Sequence, residues 1–378
     1  MERCLVRGTA RSAALVGLVT GMAACAAVKR PQFTELLWPE PPLTPRIKFV
    51  GLLRSRNDLG RNVAELVADA LVGGKKVPDS IERPMGIVPE RSGERLYVTD
   101  YDNGRVLVFN FEARTMQSLG DEAHGFARPF GIAVDDKDNV YVVDSALKLV
   151  RVFDSSGRFL RNLTHESLER PTGIAIDARR RKVYVVDSAS KDSENHVVHV
   201  FDLDGTYLKA LGGLGTEDGK FFFPTYVAVD GDGKLYVSDT LNARVQVFDA
   251  DGHHLMNIGK RGDTFGMFDK PKGVAVDTFG NVYVADSTWS NIQIFNSRGE
   301  VLLYFAGRGH IPGLLFNPTG IAIDNDNRIY VADAFNNRVA IYQLVNTKPE
   351  DSFSSVPPSE TGRRGVTPQR SVQRATAP

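Results

Sequence analysis

The chain has 378 residues, 46 of them Lys or Arg and 46 Asp or Glu, so its formal net charge is zero. That balance excludes a global electrostatic fit to nucleic acid, which needs a clear excess of positive charge. Only two cysteines occur, Cys4 and Cys25, which removes a disulfide framework.

Residues 1–24 read as an export signal. Arg3, Arg7 and Arg11 precede the apolar stretch AALVGLVTGMAA, which ends in small residues and is too short to cross a bilayer as a mature helix. The segment MAAC at Met22 to Cys25 resembles the lipobox of bacterial lipoproteins, with methionine where leucine is usual. The resemblance implies lipidation of Cys25 and an exported, membrane-anchored chain, facing the periplasm or held at the outer membrane. It also implies a mature protein without a free thiol. Ala26, where an aspartate would signal retention, resembles lipoproteins forwarded to the outer membrane. Residues 25–45 carry Pro31, Pro39, Pro41, Pro42 and Pro45 and suit an extended tether.

The next element, residues 46–56, opens with RIKFVGLL, which alternates as a strand does but stands far from any other strand. Residues 57–80 place Val63, Leu66, Val67, Ala70 and Leu71 at helical spacing, with Asn57 or Asp58 as caps and Gly73–Gly74 as the stop. This predicts one short amphipathic helix appended to the main domain.

From residue 81 to 345 the text repeats. Pro84, Pro129, Pro171, Pro224, Pro271 and Pro318 each precede a small apolar strand, a tight turn and a second strand ending in aspartate. The unit KPKGVAVDTFGNVYVADSTWSNIQIFNSRG, Lys270 to Gly299, shows three such strands, and VLLYFAG supplies a fourth. A period in the forties with four short strands per copy predicts a β-propeller of six blades. Blade six stops after three strands, so Arg46 to Leu53 is expected to supply the fourth and close the ring. Residues 346–378 are rich in Ser, Thr, Pro and Arg and are expected to form a disordered tail.

The blades resemble the NHL repeat, which runs P-x-G-I-A-V-D, then G-N-x-Y-V-A-D, then N-x-R-V-Q-V-F. Asn242 with Arg244 and VQVFD match its last part, as do Asn103 with Arg105 and Asn336 with Arg338. Blade two has Leu149 for the arginine, and blade five has Trp289 and Asn291 in the two positions. The resemblance implies an all-β, six-bladed propeller and leaves function open, since propellers host binding proteins and enzymes alike.

The aspartates that recur in every blade, such as Asp100, Asp239 and Asp333, read as blade-forming groups rather than a catalytic set. Departures from the repeat carry more information. Five blades have glycine two residues after the proline, and blade four has Tyr226, a candidate ligand contact at the channel mouth. Phe130, Lys272 and Arg308 lie in the loops leading into first strands, and Trp289 on an outer turn. Together they could receive an anionic glycan, peptide or carboxylate.

His124, His165 and His310 also lie in such loops. Three imidazoles around Zn²⁺ would suit lyase or hydrolase chemistry, as in the peptidyl-hydroxyglycine lyase propeller, although its motifs are not matched here. The Ca²⁺-binding glutamate and asparagines of six-bladed lactonases have no counterparts in the first strands. The reading is a membrane-anchored, non-catalytic binding scaffold of the cell envelope without a cofactor, with a protein or glycan partner. The alternatives are a Zn- or Ca-dependent enzyme and a glycan or small-molecule sensor. Nucleic acid is not an expected partner.

Overall fold

The repeat folds as its period predicts. A computed structural model of the chain, describing residues 35–62, 64–66 and 80–347, holds six antiparallel sheets in sequence order. The innermost strands begin at the six prolines: Pro84–Pro89, Pro129–Val134, Pro171–Asp177, Pro224–Val229, Pro271–Val276 and Pro318–Ile323. Each packs beside the next and the last beside the first, so they surround a central channel. The protein is a six-bladed β-propeller.

The second strands, for example Val140–Asp144 and Val282–Asp286, are buried along their whole length. They are sandwiched between neighbouring blades, which is why they carry valine and tyrosine on both faces. Outer strands such as Tyr207–Gly212 have no fully buried residue. Apolar clusters fill the seams, as where Tyr283 and Ile294 of blade five meet Ile321 and Val331 of blade six. Each such side chain contributes roughly 1.5–3 kcal/mol by leaving water.

Ring closure occurs as expected. Ile47–Leu53 pairs antiparallel with Arg338–Leu344, from Ile47 opposite Leu344 to Leu53 opposite Val339, with a bulge between Phe49 and Gly51. Ile47, Phe49 and Leu52 are buried in the seam of blades five and six. The blade-six edge is thereby covered.

Two expectations need correction. The tether over 25–45 is docked in its described part: Leu37–Trp38 forms a fifth strand against Ile47–Leu53. The Trp38 ring packs on Phe305 and Tyr342, with centroids 6.1 and 5.8 Å away. A large apolar ring beside an open seam gains more from burial than from remaining in a linker.

The helix caps are also not Asn57 or Asp58. Arg56–Asp58 is a single 3-10 turn capped by Ser55, and the Asp58 carboxylate is bound to Arg54 at 2.9 Å. The helical residues 64–66 follow Asn62, whose side chain accepts from the Glu65 N–H at 3.0 Å while Glu65 accepts from the Asn62 N–H at 3.2 Å. This is a capping box with asparagine in the leading position. Leu66 is buried in the blade five–six core, so this turn packs on its own domain.

Residues 1–34, which hold the expected export signal, Cys25 and the start of the expected tether, lie outside the described residues, as do residues 63 and 67–79 of the expected helix and the expected tail from 348. Among the described residues no helix is long and apolar enough to cross a membrane.

Candidate functional site

The channel is built by close approach of the inner strands. A Cβ on Gly131 would lie 2.4 Å from the Thr172 carbonyl oxygen, and one on Gly320 would lie 2.4 Å from that of Met85. Gly86, Gly173 and Gly273 meet the same obstacle in their neighbours. Glycine is required there because backbone fills the space a side chain would occupy.

At the sixth position Tyr226 spans the channel. Its hydroxyl donates to the Met85 carbonyl oxygen in blade one at 3.0 Å, and its ring packs on Phe130 of blade two at 5.5 Å. The side chain is 7% exposed, and burial raises its hydroxyl far above the ordinary pKa. The aromatic contact continues outward, since Phe130 meets Tyr101 edge-on at 6.1 Å and Arg128 lies over Tyr101.

One residue nearer the start of their strands, Phe130 and Lys272 are half-buried. Lys272 Nζ donates to the Asn317 side-chain oxygen at 3.4 Å. Burial, with lesser contributions from the positive Lys270 and Arg83, lowers this ammonium to about 8. Arg83 pairs with Asp102 at 3.3 Å and approaches the Phe335 ring, and Phe335 is 50% exposed. Blades five, six and one thus bring cations and an exposed aromatic ring to one sector. Arg308 stacks over Phe316, 5.0 Å from its centroid, and Phe316 in turn meets Phe335.

The three histidines are not brought together, which corrects the alternative of a histidine zinc site. Each is held within its own blade. His124 lies 3.9 Å from Phe159 and bonds Asp121, His165 lies 3.6 Å from Tyr207 and bonds Ser167, and His310 bonds Asn336. Phe159 and Tyr207 belong to outer strands, so these rings are held at the rim instead of converging on the channel. Among the described residues no group of three or more His, Cys, Asp and Glu is arranged to hold a metal ion.

The recurring aspartates are occupied structurally. Asp239 accepts from the Phe222 N–H, Asn242 and Arg244, and Asp333 from the Phe316 N–H, Asn336 and Arg338. The other set closes the turn after each first strand: Asp277 accepts from the Phe279 and Asn281 N–H groups and from Tyr283 Oη at 3.0 Å. The corresponding ends of the other five blades line a cavity of about 450 Å³ at the far end of the channel, with Asp135, Asp177, Asp230 and Asp324 among its walls.

Trp289 stands with different company, in a second cavity of about 420 Å³ with Phe265 and Tyr304. Sequence reasoning missed Phe265 and Tyr304. The available signal was the double departure from the repeat at Trp289 and Asn291.

Residues 317–342 match the model of the NHL repeat, and residues 269–293 that of a further β-propeller repeat. No curated protein matches the chain. Among solved structures, a Bacteroides thetaiotaomicron protein of unknown function is similar at 19% identity and TM-score 0.58, over 79% of this chain and 76% of that one. An auxiliary nutrient binding protein from the same organism shares 13% identity at TM-score 0.55, with 69% of each chain covered. A catalytically inactive virginiamycin B lyase from Staphylococcus aureus shares 12% identity at TM-score 0.53, over 72% of this chain and 98% of that one. At such identities the likeness is one of fold.

Proposed function

We propose that this NHL-type six-bladed propeller is a binding scaffold of the cell envelope, anchored through a lipid on Cys25. It receives an anionic protein or glycan at the channel mouth around Phe130 and Lys272. One observation carries the reading. Lys272 is a half-buried ammonium, and among the described residues no carboxylate lies within ion-pair distance of it, while the positive charge of Lys270 and Arg83 nearby outweighs the field of Asp286. A cation withdrawn from water without a counter-charge is costly, and an arriving carboxylate, phosphate or sulfate relieves that cost.

The rest of the mouth suits display. The ring is closed and the channel filled by Tyr226, so little order has to be imposed when a partner docks. The nutrient binding protein of similar fold supports a binding role by analogy only. Lipid anchoring rests on the Cys25 segment.

Two experiments test the two parts. A photoreactive residue at Phe130 should yield a crosslinked partner in cells, whereas one at the exposed Leu208 of an outer strand should not. Equal yields from both positions would refute a mouth site. Cys25→Ser should move the protein from the membrane to the soluble fraction; unchanged fractionation would remove the lipid.

A further inference from the structure

In blades one, four and six, an arginine and an asparagine close the crevice between the third strand and the loop leading into the blade. Arg244 holds Asp239 at 2.9 Å and donates to the carbonyl oxygens of Glu217 and Lys220 at 2.7 and 3.2 Å. Arg338 holds Asp333 at 2.8 Å and reaches the carbonyls of His310, Ile311 and Leu314. Arg105 holds Asp100 at 3.0 Å and reaches the Ser80 carbonyl. Asn103, Asn242 and Asn336 donate to the same carboxylates at 2.9, 2.9 and 2.7 Å.

Blade five keeps the loop and loses both braces. Gln293 accepts from the Gly266 N–H at 2.9 Å and donates to the Met267 carbonyl at 2.8 Å, as Gln246 does with Gly219 and Lys220 at 2.8 and 2.6 Å. Asn291 stands opposite Asp286 in the strand register, just as Arg244 stands opposite Asp239. Its shorter side chain leaves Oδ1 buried with no hydrogen-bond partner, and main-chain N–H groups supply the hydrogen bonds to Asp286.

The space left is the cavity of about 420 Å³ whose lining includes Asp263, Phe265, Trp289, Asn291, Gln293 and Tyr304. Phe265, Trp289 and Tyr304 are 50%, 40% and 54% exposed, and the rings of Phe265 and Tyr304 meet edge-on at 5.5 Å.

We propose that this blade-five crevice binds a neutral sugar ring of a glycan. A pyranose has an apolar C–H face that stacks on aromatic rings and a rim of hydroxyls that needs hydrogen-bond partners. Three exposed aromatics answer the first, and the carboxamide of Asn291 with the carboxylate of Asp263 answers the second. The volume lies within the roughly 300–1,000 Å³ range of small-molecule sites. Charge disfavours an anionic sugar: Asp263 is the charged side chain of the lining, and the neighbouring Arg261 is paired with Asp269 at 3.0 Å. The site is separate from the channel mouth, and the inference stands independently of the function proposed there.

The test titrates the full chain in detergent with neutral oligosaccharides of glucose and of N-acetylglucosamine, read by saturation-transfer NMR. At least one is expected to bind. Trp289→Ala and Tyr304→Ala should each weaken binding about tenfold with the ring still folded, and Trp289→Phe, which keeps an aromatic face on the crevice, should weaken it less. Asn291→Arg, which restores the brace of the other blades, should abolish binding while raising the unfolding midpoint. Lys272→Glu should leave sugar binding unchanged. Failure of the whole panel to bind, binding that survives Asn291→Arg, or loss of binding in Lys272→Glu would each overturn the proposal.

Discussion

The Tyr226 hydroxyl donates to the Met85 carbonyl oxygen at 3.0 Å, joining blade four to blade one across the channel. Tyr226→Phe removes that bond but leaves the Met85 oxygen a second donor, Thr319 Oγ1 at 3.3 Å. The expected cost is about 1 kcal/mol. Tyr226→Gly, which copies the other five blades, empties the channel and should cost about 3–5 kcal/mol, as truncation of a buried aromatic does. Urea unfolding followed by the fluorescence of Trp38 and Trp289 checks both. A glycine variant as stable as the parent would show that the ring does not serve as filler.

Close approach of the inner strands makes a second prediction. Gly131→Ala places a methyl group 2.4 Å from the Thr172 carbonyl oxygen, so the two blades must separate, at a cost of about 2 kcal/mol or more. Gly231→Ala meets nothing within 4 Å and should change stability by less than about 1 kcal/mol, in the stabilising direction. Thermal unfolding of the two variants side by side is the measurement. Equal midpoints would mean that the ring adjusts without strain.

The third prediction concerns pH. Lys272 releases its proton near 8 in the native ring, whereas its ordinary value is 10.5. Between these values the unfolded chain holds a proton that the native chain has lost, so the contribution of this group to stability rises with pH across that window. Below about 8 the penalty of a charged, half-buried ammonium is fully present. Lys272→Met should therefore be more stable than the parent at pH 7, with a difference that shrinks by pH 10. Denaturant titrations at both pH values decide; a difference that did not vary with pH would assign the effect to packing. Affinity for an anionic partner at the mouth should fall over the same range, as the ammonium loses its charge.

Much of the architecture was legible because it repeats. Six prolines in phase, six second strands of Y-V-x-D type and an orphan strand at Arg46 to Leu53 specify blade number and closure through local patterning alone. The recurring aspartates could be assigned to turns for the same reason, since a group present in every blade serves the blade. The docking of Trp38 was hidden because nothing in a proline-rich segment announces which seam lies beside it. The histidines misled because loops that share a sequence position need not share a direction: His124 and His165 turn outward to stack on Phe159 and Tyr207.

The sequence by itself determined the ring, its closure, and the two blades where the repeat is broken by a bulky aromatic. Periodic hydrophobicity and turn chemistry act over a few residues and are written along the chain. Only the tertiary structure decided what those departures do. Tyr226 finds its acceptor 141 residues away in sequence, so that its hydroxyl is used within the fold. Asn291 leaves a crevice whose walls come from a loop, a turn and an outer strand. A vacancy belongs to no single residue, and it exists only once the surrounding strands are in place.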